Sequence, residues 1–461
     1  MNFSSVIFVL FFLPIFFLGY YLLNKRFRNA WLIIASLIFL AFGGIDGFLF
    51  IIALLVINYV LGKFFYANNP PLFWVLLIVD IGSLVVFKYL GFLLESYASL
   101  VSFWGIKLEY TPHNYRIPIG LSFVVFQLLS FIIDIKKGII KEYPPFSSFI
   151  IYTLMFPQLV SGPIIRFLDV ESSLKERTVS TDDIYFGICR FIKGLSKKVI
   201  LANTLALIVQ WSWNNLFVEN MLISWIGAMG YTLQIYFDFS GYSDMALGLG
   251  RMIGFTYPEN FNYPYTARSL KEFWNRWHIT LSTWFRDYVY IPLGGNRRGK
   301  YRTFVNSAVV FLLTGIWHGA AWNFIIWGCW HGFFIICEKA FLSKLLMRIP
   351  KVFQQIYLMF VVTIGWVFFA SDSVGRAIVY LKNMFSLQFD CMEETLLFFD
   401  MKKMIIFIVS LIFIRKRKSF GEITNNAICY CMNTAIMLIL FLVCLIFMAG
   451  SSFNPFIYFK F

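Results

Sequence analysis

Three of the chain's four histidines, His278, His318 and His331, fall within residues 270–331, where Trp274, Trp277, Trp284, Trp317, Trp322, Trp327 and Trp330 accompany them. Imidazole is the side chain best suited to take up and return a proton near neutral pH. His318 stands in Thr314-Gly315-Ile316-Trp317-His318-Gly319-Ala320-Ala321-Trp322, whose small residues let another backbone or a substrate approach closely. A neutral imidazole there could take the proton of a hydroxyl as that hydroxyl attacks, which is general-base chemistry. The competing reading is a core histidine satisfied by a backbone carbonyl, the commoner role for a lone membrane histidine. Other site classes are excluded. There is no G-x-x-x-x-G-K-[ST], and Gly248-x-Gly250-x-x-x-Gly254 misses the dinucleotide spacing. There is no H-E-x-x-H or G-x-S-x-G, and His318 and His331, thirteen apart, form no compact metal pair.

The surroundings of these residues follow from composition. The chain is 59% hydrophobic and 14% charged, with 56 Phe against 24 acidic residues. Soluble domains average about 25% charged residues, so this much apolar surface calls for lipid. Uncharged runs recur near the length that crosses a hydrocarbon core of about 30 Å. The net charge of +15 lies in short loops between those runs, the pattern that orients membrane proteins, and does not point to nucleic acid. The 7 cysteines are scattered singly without a C-x-x-C pair, as buried thiols are.

The pattern predicts an all-α polytopic membrane protein of about 11–12 transmembrane helices with re-entrant or interfacial pieces. The first span, Val6 to Leu23, precedes Lys25-Arg26-Phe27-Arg28, which places the N-terminus outside. Further spans are expected near 30–43, 47–65, 72–93, 118–134, 222–237, 303–317, 320–340, 352–370, 403–414 and 428–449. Residues 149–166 are apolar but broken by Pro157, Gly162 and Pro163, and basic loops flank both ends. That reads as a re-entrant element buried in protein. The charges of 271–298 are too dense for hydrocarbon and suit interfacial or re-entrant helices. Arg415-Lys416-Arg417-Lys418 puts the last turn in the cytoplasm and the C-terminus outside. No linker interrupts the chain, so residues 1–461 are expected to form one membrane domain, with its core motifs at 270–331.

The runs FWNRWHITLSTWFRDYVYIPLGGNR (273–297) and LLTGIWHGAAWNFIIWG (312–328) resemble the signature of bacterial membrane-bound O-acyltransferases, in the branch of the alginate O-acetyltransferases. The resemblance extends to 117–123, to 156–163, to 234–248 and to Pro258-Glu259-Asn260-Phe261. It implies a ring of helices around a central funnel, with a thioester donor entering from the cytoplasm and an acceptor from outside. It implies that His318, in T-G-x-W-H-G, is the catalytic residue and that His278, in R-W-H, is the second. Candidates for substrate and donor binding are Trp274, Asn275, Arg276, Trp277, Arg286, Trp317, Trp322, Asn323 and Asp238, although structural pairing of Asp238 with Arg251 or another base is the commoner role. The implied reaction moves an acetyl group from acetyl-CoA, with no bound cofactor or metal, for O-acetylation of an extracytoplasmic polysaccharide of the alginate kind. An extracytoplasmic esterase-like acetyltransferase is the implied partner, and a bacterial cytoplasmic membrane the implied location. Open alternatives are acylation of peptidoglycan, D-alanylation of teichoic acid, and a membrane carrier without enzymatic activity.

The C-terminal motif 453–461 contains Phe456-x-Tyr458-x-x-Phe461. Aromatic rings at a membrane exit ordinarily form an interfacial belt. The pattern also resembles the end of the small membrane protein that accompanies D-alanyl transferases of this superfamily, which implies Tyr458 as an acyl relay. A phenol titrates near 10, so it is a better leaving group than a sugar hydroxyl.

Overall fold

The computed structural model describes residues 3–106, 117–216, 218, 220–390, 392–415 and 427–450, which are helical without a strand. Tyr458 and the rest of the 453–461 motif lie outside the described residues, as do Lys416 to Lys418. The chain divides into two compact units, Met1–Ile184 with Gly250–Pro258 and Tyr185–Leu249 with Glu259–Phe461.

The first unit holds α1 (Leu13–Leu22), α2 (Arg28–Ala41), α3 (Ile45–Tyr66), α4 (Pro71–Leu84) and α5 (Leu90–Phe103). Pro71 opens α4, where its missing N–H forfeits no helical bond. A π-turn at Val85–Tyr89 joins α4 to α5 as one helix of 33 residues. Next come α6 (Leu121–Lys136), α7 (Phe146–Leu154) and α8 (Phe167–Lys175). Between α7 and α8, residues 155–165 are irregular and yet buried throughout. Such backbone needs internal partners. It finds them in Phe156 N–H to Ser36 Oγ at 3.1 Å, Gln158 N–H to the Met155 carbonyl at 3.1 Å and Gly162 N–H to the Gln158 carbonyl at 3.2 Å. The element that Pro157, Gly162 and Pro163 break is thus one short helix followed by a protein-buried loop.

α9 (Thr181–Ser196) leads into the second unit, followed by α10 (Asn203–Asn214) and α11 (Met221–Met252). α11 does not stop at Phe237: its 32 residues carry Asp238 to Asp244 inside the helix. Glycines explain how it packs. A Cβ on Gly194 would sit 2.5 Å from the Gly241 carbonyl, and one on Gly248 would sit 2.6 Å from that of Gly187. Two seven-residue glycine pairs therefore let α9 and α11 touch backbone to backbone. The core motifs form α12 (Leu270–Trp274), α13 (Ile279–Phe285), α14 (Gly299–His318) and α15 (Trp322–Cys337). The chain continues through α16 (Ser343–Leu346), α17 (Lys351–Ala370), α18 (Val374–Met384), α19 (Met392–Phe398), α20 (Met401–Phe413) and α21 (Ala427–Ala449).

Five helices among the described residues are long and apolar enough to cross a membrane: Ile45–Tyr66, Pro71–Phe103, Trp322–Leu346, Lys351–Ala370 and Ile428–Ala449. Other expected spans are helices too, but α2, α6 and α20, with 14, 16 and 13 residues, reach only about 20–24 Å at 1.5 Å per residue. So many exposed large apolar side chains would be untenable in water; those of α3 and α21, such as Leu49, Phe64, Leu438 and Ile446, mark lipid-facing surface.

Candidate active site

α12 and α13 are too short to stand alone, so other elements hold them. Ser269 caps α12 by accepting the N–H of Glu272 at 3.1 Å. The Glu338 carboxylate, at the end of α15, accepts the N–H groups of Leu270 at 2.7 Å and Lys271 at 3.2 Å. This carboxylate completes the first turn of α12 and suits the partial positive charge there. The start of α13 is held differently. Residues 260–262 run against 276–279, with Asn262 N–H on the Arg276 carbonyl and Ile279 N–H on the Asn260 carbonyl, both at 2.9 Å.

His278 sits at this junction, fully buried, in the left-handed region at φ 43°. Only glycine takes that conformation freely, so an imidazole held there is strained and fixed by its surroundings. Its ring stacks edge-on against Phe239 at 4.5 Å and lies 6.3 Å from the ring of Trp317. Its Nδ1 lies 3.0 Å from Asn260 Oδ1, and its buried Nε2 has no hydrogen-bonding partner among the described residues. His278 lies outside the membrane-spanning helices, and burial pushes its pKa down to about 3, so the ring is neutral at any physiological pH.

His318 ends α14, a position where the partial charge of a helix favours a cationic side chain. It is 4% exposed. Its ring meets Trp317 at 4.8 Å, Trp327 at 5.0 Å and Phe369 at 5.1 Å. The glycines around it set this placement. A Cβ on Gly315 would sit 2.5 Å from the Phe324 carbonyl, so only glycine lets α14 lie so close to α15.

Trp317 therefore has ring contacts to both histidines, and Trp327 contacts both His318 and the third. His331 is fully buried, 5.2 Å from the ring of Trp327, 5.1 Å from Trp274 and 6.2 Å from Trp366. A Cβ on Gly365 would fall 2.5 Å from His331 Nε2, which is why α17 carries glycine at that point.

The remaining candidates divide. Trp274, Trp277 and Trp317 join the buried aromatic shell, Trp277 through ring contacts to Tyr236, Phe261 and Trp366. Asn323 is buried but latches α15 to the end of α17, donating to the carbonyls of Phe368 and Ser371 at 3.3 and 2.8 Å. Asn275 and Trp322 are exposed. Arg276 is half-buried and paired with Glu272 at 2.6 Å, while Arg286 faces outward and pairs with Asp287 at 2.6 Å. Asp238 takes the structural option: it pairs with Lys198 at 2.6 Å, with both side chains almost fully buried. The base is Lys198, since Arg251 pairs with Asp183 at 3.0 Å. Asp244 binds Lys197 at 2.6 Å and Arg190 at 3.0 Å, and Arg190 also holds Glu259 at 2.5 Å.

Reasoning from the sequence assigned no role to Asn260, Trp327, Trp366 or Phe369. Asn260 precedes His278 by eighteen residues and Trp366 follows His331 by thirty-five, so no local periodicity relates them. Among the described residues no group of three His, Cys, Asp or Glu is placed to hold a metal ion.

Together these elements define a class: an integral-membrane protein that keeps buried imidazoles inside a shell of tryptophan and phenylalanine. The chain belongs to the membrane-bound O-acyltransferase family, which it matches over residues 72–374. It is 39% identical over 394 residues to the probable alginate O-acetylase of Pseudomonas aeruginosa, covering 84% of this chain and 75% of that one. It is 31% identical to the peptidoglycan O-acetyltransferase of Helicobacter pylori, over 84% and 80% of the two chains. With the teichoic acid D-alanyltransferase of Bacillus subtilis the identity is 32%, over 50% of this chain and 62% of the other. The chain is accordingly a membrane O-acyltransferase. A carrier without enzymatic activity is set aside.

Proposed function

We propose that the enzyme moves an acetyl group from acetyl-CoA on the cytoplasmic side to a hydroxyl of an extracytoplasmic polysaccharide of the alginate kind. The observation that carries this reading is that the buried rings of His278 and His318 both contact Trp317, at 6.3 and 4.8 Å. His318 is the general base. As the acceptor hydroxyl attacks the thioester carbonyl, its proton passes to the His318 imidazole and a new C–O bond forms. The C–S bond then breaks, and the imidazolium returns the proton to the departing thiolate. The thioester supplies the driving force, so no nucleotide hydrolysis is needed. His278, neutral and fixed, accepts a hydrogen bond from a substrate group and orients it.

Arg297, Arg298, Lys300 and Arg302 lie around the start of α14 and suit the phosphates of coenzyme A. That run on the cytoplasmic face agrees with the positive-inside pattern and with both termini outside, in a bacterial cytoplasmic membrane. In the transfer step the first acceptor hydroxyl would be the Tyr458 phenol. Its acetyl ester would then be attacked by a hydroxyl of an extracytoplasmic, esterase-like acetyltransferase partner or of the polymer, which takes the acetyl group and gives its proton back to the phenolate. The alginate kind is favoured over peptidoglycan by 39% against 31% identity, and over teichoic acid by coverage of 84% against 50% of the chain. Purified enzyme in detergent, given acetyl-CoA and polymer, tests the reading. Release of free thiol, with acetate ester on a mannuronate polymer once the esterase-like partner is added, supports it. Transfer only to peptidoglycan fragments, or only from a D-alanyl carrier thioester, would replace it.

A further inference from the structure

The Asn260 side chain makes more contacts than capping α13 requires. Its Oδ1 accepts the backbone N–H of Thr280 at 3.3 Å and the Thr280 hydroxyl at 3.0 Å, and faces His278 Nδ1 at 3.0 Å. Its Nδ2 donates to Ser243 Oγ on α11 at 3.1 Å. Oxygen and nitrogen of a carboxamide are often exchangeable in position, but not here. A backbone N–H can only donate, so the atom facing Thr280 must be the acceptor, Oδ1. The same atom can then only accept from His278, which places the ring proton on Nδ1 and leaves Nε2 with its lone pair. Nε2 is buried without a hydrogen-bonding partner among the described residues. Buried polar atoms rarely stay so unless something else binds them.

We propose that Asn260 is a positioning residue, holding His278 as the Nδ1–H tautomer so that a bare Nε2 is presented to a substrate donor beside Trp317. The inference rests on the proposed role of His278 and adds what sets the direction of its hydrogen bond. In the opposite tautomer Nε2–H would donate, and the site could no longer accept from an acceptor hydroxyl. Three contacts fix the carboxamide. They are the N–H and hydroxyl of Thr280 on α13 and Ser243 Oγ on α11, while the Asn260 backbone carbonyl separately accepts Ile279 N–H at 2.9 Å. The tautomer is therefore coupled to the packing of α11 against the core motifs.

The chain has only 4 histidines, so histidine-selective ¹⁵N labelling of the full-length protein in detergent gives few imidazole signals, and His278→Gln assigns the one that matters. The wild type should show His278 with a proton-bearing Nδ1 and a bare Nε2. Asn260→Leu, similar in size but without the acceptor, should mix the tautomers and lower kcat on the order of 10–100-fold, the scale seen when the partner orienting a functional histidine is lost. KM for acetyl-CoA should stay within twofold. Asn260→Asp keeps the acceptor geometry, should retain the Nδ1–H signal, and should recover most of the rate that the leucine variant loses. A wild-type His278 protonated on Nε2 overturns the proposal, and needs no folded variant at position 260. So does a leucine variant with unchanged tautomer, or an aspartate variant as slow as leucine. If His278→Gln keeps full turnover, the role of His278 itself falls, and the tautomer spectrum distinguishes that failure from the first.

Discussion

Each of the three histidines in the core motifs is buried, and what separates them is what their ring nitrogens face. His318 ends a helix against Trp317, Trp327 and Phe369; His278 gives Nδ1 to Asn260; His331 lies among Trp274, Trp327 and Trp366. Replacing His318 by Gln should lower acetyl transfer on the order of 10²–10⁴-fold with the protein still inserted, because a general base contributes about that much. Polymer acetylation above a tenth of wild type, at equal abundance, would exclude proton transfer by His318. His278 also makes stability depend on pH. An unfolded imidazole titrates near 6.5, and burial pushes the folded value down to about 3. The folded pKa lies below the unfolded one, so its contribution is complete above about pH 6.5 and is lost as the pH falls from there toward 3. The unfolding temperature in detergent should drop between pH 6.5 and 5, and drop less in His278→Gln. An identical drop in both would mean that other groups set the acid limit.

At the scale of helices, the site depends on close approaches and on buried charge. Gly315→Ala would set a methyl 2.5 Å from the Phe324 carbonyl and force α14 away from α15. Overpacking of that kind costs about 1–3 kcal/mol. It should also displace His318 and reduce turnover although no catalytic group is changed. Thermal unfolding and acetyl-CoA turnover of the alanine variant check both effects. The Lys198–Asp238 pair gives a sharper contrast, since both side chains are almost fully buried. Asp238→Asn strands a buried ammonium and should cost about 3–5 kcal/mol, whereas Lys198→Met with Asp238→Leu should recover most of that stability. If the double variant is stable but inactive, Asp238 has a role at the substrate; if it is stable and active, the pair is structural.

Over the whole molecule, the positive-inside pattern and the reaction must agree on sides. A cysteine placed at Gly299, next to Arg298 and Lys300, should react with membrane-impermeant maleimide only after the membrane is opened. Labelling of intact cells would reverse the orientation and remove the cytoplasmic route for acetyl-CoA. At the other end, Tyr458→Phe removes one hydroxyl and keeps the ring. A relay needs that oxygen, so polymer acetylation should fall by tenfold or more while acetyl-CoA hydrolysis by the purified enzyme persists. Normal polymer acetylation would leave Tyr458 as part of an interfacial belt.

Composition by itself settled the helical membrane class, because so much apolar surface with so little charge has no stable arrangement in water. His278 and His318 were put forward by the resemblance of their motifs to the family signature; local chemistry alone left a satisfied core histidine as the commoner reading. The buried break after Leu154 was legible in Pro157, Gly162 and Pro163, because helix breakers act locally. What was not legible depends on contacts between distant segments. Nothing near Asp238 says that Lys198 will meet it, and nothing near His278 says that Asn260 will accept its proton. The continuation of α11 past Phe237 was hidden because Asp238 and Asp244 read as the end of a span until Lys198, Lys197 and Arg190 neutralise them. Periodicity reports which face of a helix is apolar, but the direction of one imidazole lone pair is decided only when the fold brings a carboxamide to its other nitrogen.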